Sequence, residues 1–270
     1  MTAAAMHAGE GRQHFTPDRD SVEILGVPVS AIDMDDALST IRAWISEREH
    51  QYVCVNTVNS VLAALDDPQL TEVYENAGLV TPDGMPLVWI SRTRGHSRVR
   101  RVYGPDLMLA CCDQLRAPGV RHYLYGGADG VPELLAERLV ARFPGLKVVG
   151  AYSPPFRDLT EEERSRDIER INEASPDIVW VGLGAPKQDH WMSVNRSQIE
   201  APVLIGVGAA FDFHAGVKRQ APVWMRRSGL EWLFRLMSEP GRLAGRYLVG
   251  NSRFLGLILA EEFRRLTARV

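Results

Sequence analysis

The stretch Asp177-Ile178-Val179-Trp180-Val181-Gly182-Leu183-Gly184 decides the fold. Four apolar residues in succession, closed by glycines, predict a strand buried on both faces that runs into a tight turn. Working outward, residues 186–199 read as a helix and residues 203–207 as a second such strand ending at Gly208. Upstream, His122-Tyr123-Leu124-Tyr125-Gly126-Gly127 is again a strand into glycines. A helix over 131–143, a strand over 146–151 and a charged helix over 161–174 separate the two. Continuous apolar strands alternating with amphipathic helices predict an α/β fold, with a mainly parallel sheet covered by helices on both faces.

The N-terminal half follows the same grammar. Residues 22–29 read as a strand pair or a bent strand, and Asp33-Met34-Asp35-Asp36 opens a helix with Ala37, Leu38, Ile41, Trp44 and Ile45 on one face. Residues 51–57 form a strand ending in polar residues, and a helical segment follows, broken at Asp66-Asp67-Pro68. The apolar run 77–80 leads into Thr81-Pro82-Asp83-Gly84-Met85-Pro86, a strand-to-helix turn. A helix to about Arg92, a loop holding Arg92, Arg94, Arg98, Arg100 and Arg101, and a helix over 105–115 complete this half. Residues 1–20 lack periodicity and read as a disordered arm.

Composition sets limits on function. An apolar fraction of 45% is that of an ordinary globular protein, and a net charge of −3 argues against general nucleic-acid binding. That average hides an asymmetry: residues 218–270 carry 11 Lys/Arg against 4 Asp/Glu, so the tail is basic on an acidic body. Cys54, Cys111 and Cys112 have no metal-ligand spacing and sit in apolar runs, which predicts core positions and a reducing, cytoplasmic setting. The first residues contain no apolar h-region, which argues against a secretory signal, and no run approaches the ~18–20 apolar residues of a membrane span.

Polar groups stand at successive strand ends, where open α/β sheets bind ligands. They are Thr57 and Asn59, Asp83, the Tyr125-Gly126-Gly127 turn, Gly184-Ala185-Pro186-Lys187-Gln188, and Phe211-Asp212-Phe213. Each alone has a simpler explanation: Asp83, Thr57 and Asn59 suit helix caps, Gln188 a surface turn, and Asp212 a loop. Asp33-Met34-Asp35 imitates the DxD motif of metal-dependent sugar transfer, but carboxylates in a first helical turn are what the helix dipole favours, and capping is the preferred reading. Gly182-x-Gly184 and Gly206-x-Gly208 begin a GxGxxG whose third position is Lys187 in one case and Phe211 in the other. The glycine turns therefore indicate a Rossmann-like nucleotide site of unspecified kind.

Taken together, these segments resemble the WecG/TagA/CpsF family of bacterial glycosyltransferases. The matching residues are Asn56-Thr57-Val58-Asn59, the Thr81–Pro86 turn, Arg101-Val102-Tyr103-Gly104-Pro105-Asp106, Tyr125-Gly126-Gly127, and residues 182–188. They continue through residues 206–216 and Gly229-Leu230-Glu231-Trp232-Leu233-Phe234-Arg235-Leu236 to Arg246-Tyr247. The resemblance implies an inverting, metal-independent transfer of a hexose or N-acetylhexosamine, N-acetylmannosamine or glucose foremost, from a UDP-sugar. The implied acceptor is a polyprenyl-diphosphate-linked sugar at the cytoplasmic face of the membrane, in cell-surface polysaccharide synthesis, with no cofactor.

On that resemblance Asp83 is the base for the acceptor hydroxyl, and Thr57 and Asn59 hold the donor sugar or the acceptor. Arg101 answers diphosphate charge, Gln188 and Tyr125-Gly126-Gly127 meet the nucleotide, and Asp212 is a second pocket carboxylate. Residues 21–217 then form the catalytic domain and 218–270 a basic, amphipathic helical appendage that docks on an anionic inner-membrane surface. Arg235, Arg242, Arg246 and Arg253 would share one stripe of a continuous helix, but Pro240-Gly241 predicts two helices. The implied role of bringing arginines over the site falls on Arg235, Arg242 and Arg246. Where family members often read Lys-Arg-Ala-Pro, this chain has Arg219-Gln220-Ala221-Pro222. An NAD(P)-binding oxidoreductase and a non-catalytic sugar-nucleotide or lipid-binding protein are the competing readings, and a homo-oligomer is left open.

Overall fold

A computed structural model describes residues 20–267, the side chains of residues 227, 242–244 and 246–248 excepted. The arm expected over residues 1–20 lies, but for Asp20, outside the described residues. The described residues open with an antiparallel hairpin, β1 (Ser21–Ile24) and β2 (Val27–Ser30), followed by α1 (Met34–Glu47). Asp33 caps α1: its carboxylate accepts from the Asp36 amide, and the Asp36 carboxylate accepts from the Asp33 amide. This capping box is the role preferred for the Asp33–Asp35 stretch.

Then come β3 (Gln51–Asn56), α2 (Val58–Asp66), α3 (Pro68–Glu75), β4 (Leu79–Pro82), α4 (Met85–Thr93) and α5 (Gly104–Gln114). The second half runs β5 (Arg121–Gly126), α6 (Val131–Arg142), β6 (Lys147–Tyr152), α7 (Glu161–Glu173), β7 (Ile178–Gly182), α8 (Lys187–Asn195) and β8 (Val203–Gly206). Four helices close the chain: α9 (Ala210–His214), α10 (Val223–Arg227), α11 (Glu231–Ser238) and α12 (Pro240–Thr267). Proline at the start of α12 separates it from α11, as Pro240-Gly241 predicted.

Six strands pair in the order β4-β3-β8-β7-β5-β6, every pair parallel. Side chains alternate between two cores, as the period of two requires. Tyr52, Cys54, Tyr123, Tyr125, Val179 and Val181 face one core with α2, α3, α7, α8 and the hairpin. Val53, Leu124, Ile178, Trp180, Val203 and Ile205 face the other with α1, α5, α6 and α9. Both faces being buried explains why the strands read as unbroken apolar runs. All three cysteines are buried and unbridged, at the core positions expected.

This topology places the crevice. From β5 the chain leaves through α6 on one face toward β6; from β7 it leaves through α8 on the other face toward β8. Neighbouring strands whose connections depart in opposite senses leave a gap at their carboxyl ends. Glycine forms its floor: Gly126 pairs with Gly182, and a Cβ on Gly126 would stand 2.7 Å from the Gly182 carbonyl carbon. A Cβ on Gly182 would in turn stand 2.7 Å from the Phe211 ring.

The C-terminal helices are fastened to the body. Phe254 and Ile258 of α12 enter the core beside α2. Arg94, its side chain 4% exposed, binds Glu261 at 2.7 Å and Glu262 at 2.5 Å. Arg253 pairs with Asp66 of α2 at 2.6 Å. On another side of α12, Leu255, Leu259, Phe263 and Leu266 are exposed at spacings of four, four and three, one helical stripe. Among the described residues no helix is long and apolar enough to cross a membrane.

Candidate active site

Asp83 leaves the end of β4 in a turn tied to the next strand. Its amide donates to the Asn56 carbonyl at 2.9 Å, and Gly84, not Asp83, is the N-cap of α4. The helix-cap explanation of Asp83 therefore gives way: its carboxylate is turned to Arg101. The Arg101 guanidinium donates to Asp83 Oδ1 through Nη2 at 2.7 Å and through Nε at 3.1 Å, and Nε also reaches the Asp83 carbonyl. The arginine loop is held there because the Val102 amide donates to the Pro82 carbonyl at 3.1 Å.

A second carboxylate arrives from the C-terminal helices. Glu231, in the first turn of α11 and buried, accepts from Arg101 Nη2 on Oε2 at 2.7 Å and from the Tyr103 hydroxyl on Oε1 at 3.0 Å. Arg101 lies over the Tyr103 ring at 4.1 Å, and its Nη1 donates to the Arg226 carbonyl at 3.0 Å. Gln220 donates to the Tyr103 hydroxyl at 3.1 Å, and Arg235 stands 3.3 Å from Glu231 Oε1. Residues of the β4 turn, the arginine loop and the tail thus form one buried polar cluster.

Its electrostatics favour a base. Burial pushes the Asp83 carboxyl up to about 6; the Arg101 cation opposes that shift and the Glu231 carboxylate adds to it. The Tyr103 hydroxyl is raised well beyond the ordinary phenol value, by burial and then by Glu231. Burial would weaken the Arg101 cation, but Asp83 and Glu231 outweigh it and hold the guanidinium firmly charged.

Around this cluster opens a cleft of about 1930 Å³ at the carboxyl ends of the strands. Thr57, Asn59, Asp83, Arg101, Gly127, Gln188, Asp212 and Arg235 all line it. Thr57 is the N-cap of α2, its amide donating to Ser60 Oγ at 3.2 Å, and its Cα would lie 3.6 Å from a Cβ on Gly84. That closeness sets Thr57 beside the Asp83 turn. The Gln188 side chain folds back across the glycine turn, accepting from the Gly184 amide at 3.1 Å, and is buried above the end of β8. Asp212 pairs with Lys218 at 3.0 Å.

The model of the family described as Glycosyl transferase WecG/TagA/CpsF family matches residues 22–268. The chain belongs to the WecG/TagA/CpsF family. Among its relatives, a Bacillus spizizenii protein named N-acetylglucosaminyldiphosphoundecaprenol N-acetyl-beta-D-mannosaminyltransferase is 27% identical over 87% of this chain and 91% of its own length. Proteins of the same name from Bacillus subtilis (27% identical; 85% and 90% covered) and Staphylococcus aureus (26%; 82% and 86%) are similar to it. The protein is accordingly a glycosyltransferase, and the cleft is the candidate site for its chemistry.

Not every residue expected at the site reaches it. Tyr125 is turned into the core, where its hydroxyl donates to Asp167 at 2.8 Å and its ring stacks on Trp191 at 4.5 Å. The period of two explains this, since Tyr125 shares a face with Tyr123 and Val181. Gly126 is pressed against Gly182, and only Gly127 of that turn lines the cleft. Arg101 does line it, but is already engaged by two carboxylates. The side chains of Arg242 and Arg246 lie outside the described residues, both positions falling within α12. Glu231 and Tyr103 lie in segments that match the family but carry no role in the sequence reading: taken by itself, a glutamate in a first helical turn gives only the ordinary signal of helix-dipole preference. Gln220, in the Arg219-Gln220-Ala221-Pro222 stretch, donates to the Tyr103 hydroxyl and so helps to fix it.

Proposed function

We propose that this glycosyltransferase moves a hexose or N-acetylhexosamine from a UDP-sugar to a hydroxyl of a polyprenyl-diphosphate-linked sugar, with inversion at the anomeric carbon. The relatives' names supply the acceptor class and favour N-acetylmannosamine as the transferred sugar, with glucose the alternative. The observation that carries the mechanism is Asp83, a buried carboxylate at a strand end in the cleft, held in place by Arg101. Inversion is a single displacement and needs one base; a carboxylate raised to about 6 serves better near neutral pH than one at the usual ~4. Thr57 and Asn59, on the same wall, orient the donor sugar and the incoming hydroxyl.

Departure of UDP puts charge on its diphosphate, and in this reading no metal meets it. Lys187 and Arg219 line the cleft and make no ion pair among the described residues, so they are the cations available for it. Gly127, with a left-handed backbone at the cleft edge, allows close approach of the nucleotide. Gln188 shapes the turn beside it, and Asp212 orients Lys218.

Residues 21–217 act as the catalytic domain and 218–270 as the appendage that docks on the anionic inner face of the cell membrane. The tail's positive balance and the exposed stripe Leu255, Leu259, Phe263 and Leu266 support this placement. Peripheral attachment there brings the cleft to a lipid-linked acceptor. The test is a screen of UDP-sugars against a short polyprenyl-diphosphate-sugar, with and without EDTA, reading product mass and anomeric configuration. Transfer with inverted configuration, unaffected by EDTA, is the expected outcome. Retention would overturn the single displacement, and dependence on a divalent cation would overturn the metal-free account.

A further inference from the structure

We propose that Glu231 is a positioning residue, which grips Arg101 from the side opposite Asp83 and makes the C-terminal helices part of the acceptor-activating base. The inference rests on the proposed role of Asp83 as that base. It begins from a geometric fact: one guanidinium nitrogen, Arg101 Nη2, lies 2.7 Å from Asp83 Oδ1 and 2.7 Å from Glu231 Oε2. A donor shared in this way cannot swing toward either partner. Arg101 is fixed further by the Arg226 carbonyl and by the face of Tyr103.

Glu231 is itself held on its other oxygen. Tyr103 donates to Oε1 at 3.0 Å, and Tyr103 in turn accepts from Gln220 at 3.1 Å. A buried carboxylate survives only when its oxygens are satisfied, and here both are. The charged or titratable groups that face Asp83 are Arg101 and Tyr103 from the arginine loop and Glu231 and Arg235 from α11. The guanidinium of Arg226 is turned away to Asp106 at 3.0 Å.

The effect on Asp83 has one sign. A neighbouring negative charge disfavours a second one, so Glu231 keeps Asp83 basic by repulsion. Glu231 also draws on the Arg101 cation that would otherwise act on Asp83 alone. Removing the Glu231 charge relaxes both effects, and both lower the basicity of Asp83. The two carboxylates each lie 2.7 Å from the same nitrogen, so their oxygens lie no more than about 5.4 Å apart, and a loss of about one pH unit is expected at high effective dielectric.

Glu231→Gln keeps the shape of the side chain and removes its charge. In the full-length protein labelled with 13C at the aspartate carboxyl carbon, the Asp83 resonance, assigned through Asp83→Asn, is titrated with pH. Its midpoint is expected to fall by about one pH unit in Glu231→Gln, with the acid limb of kcat/KM moving the same way. Turnover at neutral pH is expected to drop ~3- to 10-fold while the Kd for UDP holds. Glu231→Asp, which keeps the charge, is expected to leave the midpoint near that of the wild type. An unmoved Asp83 midpoint in folded Glu231→Gln overturns the proposal, whatever happens to turnover.

Should Glu231→Gln fail to fold, Tyr103→Phe releases the other oxygen of Glu231 and is expected to move the midpoint down by a smaller step; no movement there overturns the proposal equally. Because the titration needs no substrate, it also separates two failures. A wild type that transfers no sugar refutes the proposed reaction, whereas a midpoint indifferent to residue 231 refutes this role for Glu231.

Discussion

Replacing Asp83 with asparagine should make the protein more stable and inactive at once. In the fold, burial raises the Asp83 carboxyl from 3.8 to about 6, which at about 1.4 kcal/mol per unit means that ionising it costs the native state about 3 kcal/mol. The sign follows from linkage. A carboxyl raised in the native state contributes its stability fully below pH ~4, and that contribution is lost as pH rises through about 6. Asparagine mimics the protonated acid in shape and still accepts from Arg101, while Glu231 keeps the guanidinium paired. At pH 8 Asp83→Asn should therefore gain up to about 3 kcal/mol, a rise in Tm of about 6 °C for a chain of this size. At pH 4.5 the gap should narrow to about 1 kcal/mol, because the wild-type group is by then protonated in the fold. Asp189, whose carboxyl burial pushes up to about 7, titrates in the same window in both proteins, so the difference between them is the quantity to measure. Urea melts at the two pH values, with transfer assayed alongside, supply it; turnover should fall at least ~100-fold as expected for loss of a general base. A variant no more stable than the wild type at pH 8, or a gap that does not close in acid, would refute the account of Asp83 as a base poised by burial.

Two further expectations concern the cleft wall and the tail. Lys187→Ala should weaken UDP binding ~10-fold by calorimetry, the worth of one charge-assisted contact to a phosphate, with no change in melting; unchanged affinity would move the diphosphate elsewhere in the cleft. Arg94→Met should leave Glu261 and Glu262 facing an uncharged side chain at a cost of ~3 kcal/mol. Amide exchange should then rise through the second half of α12 and not in the sheet, and uniform protection would show that the pair does not fasten the helix.

The strands were legible because burial on both faces leaves no polar position to blur them. Residues 178–182 and 203–206 needed no more than their own composition to be assigned. Strand order was not legible, since pairing β8 with β3 joins residues about 150 positions apart and no local pattern encodes it. Strand parity was legible and yet misapplied at Tyr125. A polar aromatic at a strand end suggests a ligand contact, but its face was already fixed by Tyr123, two residues earlier.

The site divides along the same line, between what a residue is and what surrounds it. Asp83 stood out because its turn follows a strand, and Thr57 because it opens a helix there; both facts are local. Arg101 was identified as a cation, which it is, and assigned to a diphosphate, which is a statement about its partners. Its partners come from Asp83, 18 positions away, and Glu231, 130 positions away. With those two carboxylates in contact, Arg101 has little unopposed charge to offer a departing nucleotide. In the proposed mechanism the task that fits these partners is to hold a buried base in ionisable form, for without a cation beside it a carboxylate at this depth would stay protonated near neutral pH. In the proposed mechanism the positive charge for the leaving group then comes from the cleft wall and the tail, so that the basic C-terminal segment would serve the chemistry of the site as well as the proposed attachment to the membrane.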